Sequence, residues 1–269
     1  MEKGIIKVNN MTFKYNDKNI FKNFNLEIKQ GEFVTIIGKN GSGKTTLAKI
    51  LIGLLKSDGY ITIDSYLLND YYINKIRRVF SVSLGENKQN FIGETVRDDL
   101  AFTLENLEYS KKEIEKSISI ISKKFKIEDI LDKAPNELNS SEKEKVIIAG
   151  ALIHNPKIIL LDEMINKLIP SDKKLIFKIL KEYQEKIKLT IILVTHDLED
   201  TLYSDRIILL DNGKKIYDCS KEEMYKDDKL EKLGFNLPFI VKLSQNLMLY
   251  DLLDKVYFNE KEVVDKLWP

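Results

Sequence analysis

Short aliphatic runs, each closed by glycine or by polar residues, set the rhythm of this chain. Phe33-Val34-Thr35-Ile36-Ile37, Val79-Phe80-Ser81-Val82-Ser83, Lys157-Ile158-Ile159-Leu160-Leu161, Leu189-Thr190-Ile191-Ile192-Leu193-Val194 and Arg206-Ile207-Ile208-Leu209-Leu210 are largely continuous rather than alternating. A strand apolar on both sides predicts burial on both, as in a parallel sheet covered by helices. The run at 79–83 reads as a central strand of that sheet. Helical patterning follows at Thr95–Leu107, Ser110–Lys124, Ile127–Asp132, Ser141–Ile153, Lys173–Lys186 and Leu198–Tyr203. Buried strands interleaved with helices predict an α/β fold.

The ends of the chain read differently. Ile5–Val8, Met11–Tyr15 and Ile20–Ile28 alternate in part around the polar turn Asn16-Asp17-Lys18-Asn19, which predicts an antiparallel β subdomain beside the parallel core. Gly59–Ile63 adds a strand and Tyr71–Arg78 a short helix. Residues 84–153 open as a polar loop and continue as helices, a helical insert between two core strands. Asn212-Gly213 between Arg206–Leu210 and Lys215–Asp218 predicts a hairpin. Residues 220–269 are mainly helical, broken at Leu233–Phe239. The chain therefore divides into a core domain, 1–219, and a small C-terminal helical domain, 220–269.

The first core run leads into recognisable chemistry. Gly38-Lys39-Asn40-Gly41-Ser42-Gly43-Lys44-Thr45-Thr46 follows it directly and precedes the helical stretch Leu47–Gly53. This is the strand–loop–helix setting of a phosphate-binding loop, which makes the fold that of a P-loop NTPase. Glycines let backbone amides turn inward around a phosphate, and the helix N-terminus adds its positive dipole end. Lys44 is expected at the β- and γ-phosphates of ATP and Thr45 on Mg²⁺. The run at 157–161 closes with Asp162 and Glu163, acids at the C-terminal edge of a buried strand. Asp162 is expected to hold the metal or its water shell, and Glu163 to orient the attacking water and take its proton. His196, at the end of the next strand, is expected at the γ-phosphate. His154 follows a helix and reads as structural. Tyr15 is either an edge aromatic or a stacking platform for a purine base.

Composition narrows the setting. A net charge of +1 favours neither nucleic acid nor an acidic surface, and 43% hydrophobic residues suffice for a full core. Arginine occurs only at Arg77, Arg78, Arg97 and Arg206, so the lysine excess reads as a solvated surface. The lone Cys219 forms no internal disulfide and suits a reducing compartment. No apolar run reaches the ~20 residues of a membrane helix, and Met1-Glu2-Lys3-Gly4 leads into a strand rather than a leader. Work at a membrane would have to go through a partner.

The order of these parts resembles an ATP-binding cassette over residues 5–218. It is most similar to the ATPase subunits of energy-coupling factor transporters, which import vitamins and metal ions in prokaryotes. Asn90 to Phe102, Ile148-Ala149-Gly150-Ala151-Leu152 and Leu233 to Leu243 carry the closer likeness. Asn90-Phe91-Ile92-Gly93 and Leu237-Pro238-Phe239 lean toward the first of the two ATPase subunit types. The resemblance implies an ABC nucleotide-binding domain using ATP and Mg²⁺. It places Tyr15 on adenine, Gly38 to Thr46 on the phosphates, Asp162 on the metal, Glu163 as catalytic base and His196 as switch histidine. It also implies a head-to-tail heterodimer with a second ABC ATPase subunit, a transmembrane coupling subunit, and a membrane subunit that binds the solute. No nucleic-acid partner is implied. The chain would sit peripherally at the cytoplasmic face of the cell membrane.

Three departures stand out. The family's Leu-Ser-Gly-Gly-Gln signature aligns with Leu138-Asn139-Ser140-Ser141-Glu142. Its loop glutamine aligns with Gly85, with Glu86 and Gln89 nearby. Its Leu-Asp-Pro after the base reads Leu168-Ile169-Pro170. A Cβ at either signature glycine is expected to crowd the phosphate of the opposing subunit, so the site built on this signature is expected to be weak. A regulatory nucleotide-binding subunit, or a soluble cassette acting on DNA or ribosomes, are the alternatives to an importer ATPase.

Overall fold

The computed structural model describes residues 4–85, 91–226 and 229–268. β1 (Gly4–Tyr15) and β2 (Lys18–Lys29) form a long antiparallel pair. β1 is one strand where two short ones were expected. Asn10 takes a φ of 50° and the register shifts between Val8 and Met11, so the polar Asn9-Asn10 step is a bulge and not a break. β3 (Phe33–Ile37) leads through the phosphate loop into α1 (Lys44–Leu51). β4 (Asp58–Ile63) and β5 (Tyr66–Leu67) return to the first pair, giving a four-stranded sheet in the order β2-β1-β4-β5.

α2 (Ile73–Arg77) and β6 (Phe80–Leu84) precede the helical insert. Its helices are α3 (Val96–Asn106), α4 (Lys111–Phe125) and α5 (Ser140–Leu152). Each begins with a reciprocal cap, in which Thr95, Ser110 and Asn139 pair with an acid three residues on. The core resumes with β7 (Ile158–Asp162), α6 (Pro170–Ile187), β8 (Thr190–Thr195), β9 (Arg206–Asp211) and β10 (Lys214–Ser220). Glu128–Ile130 and Leu198–Tyr203 are 3₁₀ turns where α-helices were expected. The chain ends with α7 (Lys221–Met224), α8 (Lys229–Lys232), α9 (Phe239–Met248) and α10 (Glu260–Leu267).

The six-stranded sheet runs β10-β9-β3-β8-β7-β6. All its strands are parallel except β10, which closes a hairpin on β9. β6 lies at the edge and not in the centre as its pattern predicts. α2 and α5 pack on it and bury Phe80 and Ser81, which gives an edge strand the composition of an inner one, while Val82 stays exposed.

Successive residues of the inner strands face opposite ways. Phe33, Leu161, Ile191 and Leu193 join the insert and α6 in one core, while Val34, Ile36, Leu160, Ile192 and Val194 join α1 and the antiparallel sheet in another. Ile37, Ile207 and Leu209 lie under the C-terminal helices with Tyr225, Ile240 and Val241, so that stretch shares a core with the sheet. β3, β7 and β8 end at one edge, with Ile37 opposite Thr195 and Asp162 opposite Val194. That register brings the residues after each strand together.

Candidate functional site

The phosphate loop is shaped by its glycines and its neighbours. Gly41 and Gly43 take φ values of 80° and 106°, which L side chains rarely adopt. A Cβ on Gly38 would lie 2.4 Å from the Leu210 carbonyl oxygen. The β9–β10 turn supports the loop from the other side. Asn212 and Gly213 both have positive φ, and the Gly213 amide donates to the Ser42 carbonyl at 2.9 Å. α1 has Gly43 as its N-cap with no side-chain cap, so no side chain takes up its first amides, and the Ser42 Oγ is buried without a protein partner.

Lys44 folds back over this loop. Its Nζ donates to the Gly38 and Lys39 carbonyls at 2.7 and 3.2 Å. Burial pushes its pKa below the usual lysine value, against the pull of Glu163 and Asp162. Lys39, Asn40 and Gly41 are exposed, and Thr45 and Thr46 are half-buried at the start of α1.

Asp162 is buried at the end of β7. Glu163 follows with a φ of 57°, an uncommon conformation for a non-glycine residue, held by its amide donating to Val194 O at 2.9 Å. The turn aims its carboxylate out of the sheet edge. There the Glu163 Oε2 accepts from His196 Nδ1 at 2.8 Å and from Asn166 Nδ2. A cleft of about 550 Å³ opens beside this pair, lined by Gly38, Lys39, Asn166, Lys173, His196 and Asn236 among others. The site residues expected from the phosphate loop and from β7 and β8 thus converge. Tyr15 stands apart at the end of β1, 44% exposed, its ring edge-to-face with Phe13 at 4.9 Å. His154 is a structural residue, as expected. Its Nε2 lies 3.3 Å from Ser81 Oγ, and burial lowers its pKa.

The residues fit a hard divalent cation. Thr45 and Asp162 offer oxygen donors beside the loop, and Mg²⁺ typically takes one or two such protein ligands with phosphate and water oxygens completing the shell. No cluster of three or more His, Cys, Asp or Glu suited to a metal occurs among the described residues.

One group was missed in the sequence. Lys173, in the first turn of α6, pairs with Asp200 and with Asp197 at 3.1 Å, and the Asp200 Oδ2 accepts from Thr195 Oγ1 at 2.8 Å. Asp200 is fully buried, and the cluster fixes the backbone on either side of His196. The polar spacing Asp197-x-x-Asp200 was the available signal. We expect Lys173→Met to cost ~3 kcal/mol of stability by leaving the Asp200 charge uncompensated. Urea unfolding would measure it, and a loss below ~1 kcal/mol would show that the pair is dispensable.

The departures have structural reasons. Gly85 donates its amide to the Asp162 carbonyl at 2.9 Å, and a Cβ there would come within 3.0 Å of that oxygen. Glu86 and Gln89 lie outside the described residues. The Asn139 side chain is engaged as an N-cap. Its Oδ1 accepts from the Glu142 amide and the Glu142 carboxylate accepts from the Asn139 amide, both at 2.9 Å. Ser140 is exposed, but Ser141 is buried and turned inward. Of the two serines expected to crowd the phosphate of the opposing subunit, only Ser140 stands at the surface.

Comparison with known proteins agrees with this geometry. A sequence-family profile described as ABC transporter matches residues 21–166. The energy-coupling factor transporter ATP-binding protein EcfA1 of Ligilactobacillus salivarius is 37% identical over 98% of this chain and 95% of its own length. EcfA1 of Geobacillus kaustophilus is 32% identical, covering 100% and 98%. Among solved structures, cbiO1 from Clostridium perfringens, part of the ABC transporter complex cbiONQ, superimposes with a TM-score of 0.77 at 31% identity, covering 91% of this chain and 100% of that one. A dimeric ATP-binding cassette in a post-hydrolysis state with ADP and Pi does so with a TM-score of 0.71 at 31% identity, over 80% and 98%.

Proposed function

Because the chain belongs to the ABC transporter family, as an ATP-hydrolysing subunit of the energy-coupling factor type close to EcfA1, we propose that its nucleotide site is the convergence of Lys44, Asp162, Glu163 and His196, and that it acts in a head-to-tail heterodimer. The observation that carries the site is the register of β3, β7 and β8, which brings a phosphate loop, two acids and a histidine from distant sequence to one edge. Gly38 to Thr46 hold the phosphates of ATP, and Tyr15 stacks on the adenine. Thr45 and Asp162 hold Mg²⁺, which when bound supplies charge neutralisation on the phosphate oxygens. Glu163 takes the proton of the attacking water. Its contact with His196 keeps that imidazole at the end of β8, facing the γ-phosphate.

The partners are a second cassette subunit, a transmembrane coupling subunit and a membrane subunit that binds a vitamin or metal ion. The chain sits at the cytoplasmic face of the membrane and does not enter it. None of its described helices is long and apolar enough to cross. The coupling subunit docks along the β6 edge. A cleft of about 310 Å³ there is lined by Ile52, Leu54, Ile76 and Leu84 together with Val82, and Leu54 is 57% exposed. Ahead of α3, Ile92 is 69% exposed, whereas Phe91, expected to be exposed as well, packs partly on the insert core. Asn90 lies outside the described residues. Pull-down of the full chain from detergent-solubilised membranes should bring down integral membrane subunits and a second cassette chain. Ile92→Cys should then crosslink to the coupling subunit, and failure of every cysteine from 91 to 95 would remove this docking assignment.

A further inference from the structure

Two of the departures from the family pattern touch each other. Ser141 stands where the second signature glycine would be, and Ile169 where the acid of the loop after Glu163 would be. The Ile169 amide donates to Ser141 Oγ at 3.2 Å, and Ser141 Oγ donates to Asp172 Oδ2 at 2.6 Å. Asp172 is held from its other oxygen by Lys145 at 3.3 Å, one turn along α5. Ser141 and Lys145 are buried, and the Asp172 side chain is 16% exposed. Beside them Glu144, also buried, pairs with Lys167 at 3.1 Å, and the Lys167 Nζ donates to Gly85 O at 3.3 Å. All of these contacts except the last join α5 to the segment between Glu163 and the first turn of α6, and the last ties that segment to the end of β6.

We propose that Ser141 and Asp172 are a matched pair of positioning residues, which lock the signature helix onto the loop behind Glu163 and thereby fix how that helix meets the nucleotide of the opposing subunit. A glycine at 141 would leave that helix end free to choose its backbone angles, and would leave Asp172 without its hydroxyl donor in a mostly dry site. The serine trades that freedom for one fixed orientation. Its side chain spends both donor and acceptor inside the chain, so it neither reaches nor obstructs the phosphate. The bond from Ile169 comes from its backbone amide, while its side chain is 54% exposed. Reverting Ser141 to the family glycine therefore loosens the signature and does not repair it. The functional half of this inference rests on the head-to-tail pairing proposed above; the pairing of Ser141 with Asp172 does not.

Two measurements separate these halves. In the isolated full chain, Ser141→Ala and Asp172→Asn should each lower the thermal midpoint by ~3–6 °C, and the double variant by clearly less than the sum. Additive losses would overturn the matched pair. In the complex with its cassette partner, both catalytic bases are replaced by glutamine so that ATP is retained and not consumed. Release of labelled ATP then reads how well each signature covers its nucleotide. Ser141→Ala and Ser141→Gly should each speed about half of the release roughly tenfold and leave the other half unchanged, while Ser141→Thr, which keeps the hydroxyl, stays near the parent rate. Unchanged release despite lost stability would make the pair merely structural and overturn the positioning role. Slower release in Ser141→Gly would show the serine obstructing the phosphate, with the same consequence. A parent complex that retains no ATP would overturn the head-to-tail reading and the positioning role with it, while a coupled thermal cycle would still establish the pair.

Discussion

Lys44→Ala should lower ATP affinity by ~10²–10³-fold and leave the nucleotide-free fold standing. The binding loss follows from charge. Lys44 is the one buried cation of the loop among the described residues, its Nζ held against the Gly38 and Lys39 carbonyls, where it is poised to face a β- or γ-phosphate. The tolerance of the fold follows from the same burial. The ammonium is held partly out of water at a cost, which is why its pKa falls below the usual lysine value even though Glu163 and Asp162 pull the other way. Removing it relieves that cost and returns water to the Gly38 and Lys39 carbonyls. The two effects separate in a thermal titration. Without nucleotide, parent and variant should melt within a few degrees of each other. With ATP at a hundred times the parent Kd, the parent should gain ~2.7 kcal/mol and the variant almost nothing. A variant that still gains the full increment would mean that the phosphates bind elsewhere.

The phosphate loop, Asp162, Glu163 and His196 were legible in the sequence because each sits next to an aliphatic run that predicts its own strand. A strand end is a local property, and the chemistry at it is read from the same few residues. What was not legible depends on which distant segments meet. Ser141 reads as damage to a signature and Ile169 as a lost acid. Only the fold shows that one accepts a hydrogen bond from the other and that Asp172 completes the pair. Gly213 is equally silent. Asn-Gly predicts the hairpin, but nothing in it predicts that its amide supports Ser42. β6 was misplaced for a related reason. Its hydrophobicity reports that it is covered, and α2 and α5 cover much of an edge strand, leaving Val82 exposed, where two sheet neighbours would cover an inner one. The Asn9-Asn10 step looked like a strand end because polar pairs usually are; here a left-handed Asn10 takes up the irregularity as a bulge.

Glu163→Gln should keep ATP affinity and slow hydrolysis by ~10²–10⁴-fold at the site holding this chain's phosphate loop. The carboxylate lies outside the phosphate cradle, so ground-state binding has no need of it. Its work begins when water attacks. An amide of the same shape can still orient that water, but it cannot accept the proton. The substitution also changes the contact at 2.8 Å with His196, where one carboxylate oxygen now accepts from both His196 and Asn166. A glutamine keeps one acceptor oxygen for those donors, so the local fold should survive, and the thermal midpoint serves as the control. Single-turnover hydrolysis in the proposed heterodimer is the measurement, with one base blocked at a time. The Asn139 Oδ1 is spent on capping α5 and the family's signature serine hydroxyl is absent at this position, so the site that relies on this chain's signature should be the slower one. Loss of most activity on blocking Glu163, and little on blocking the partner's base, is therefore the expected pattern. The reverse pattern would exchange the strong and weak sites. An unchanged rate in both arms would favour a subunit whose nucleotide regulates and is hardly consumed.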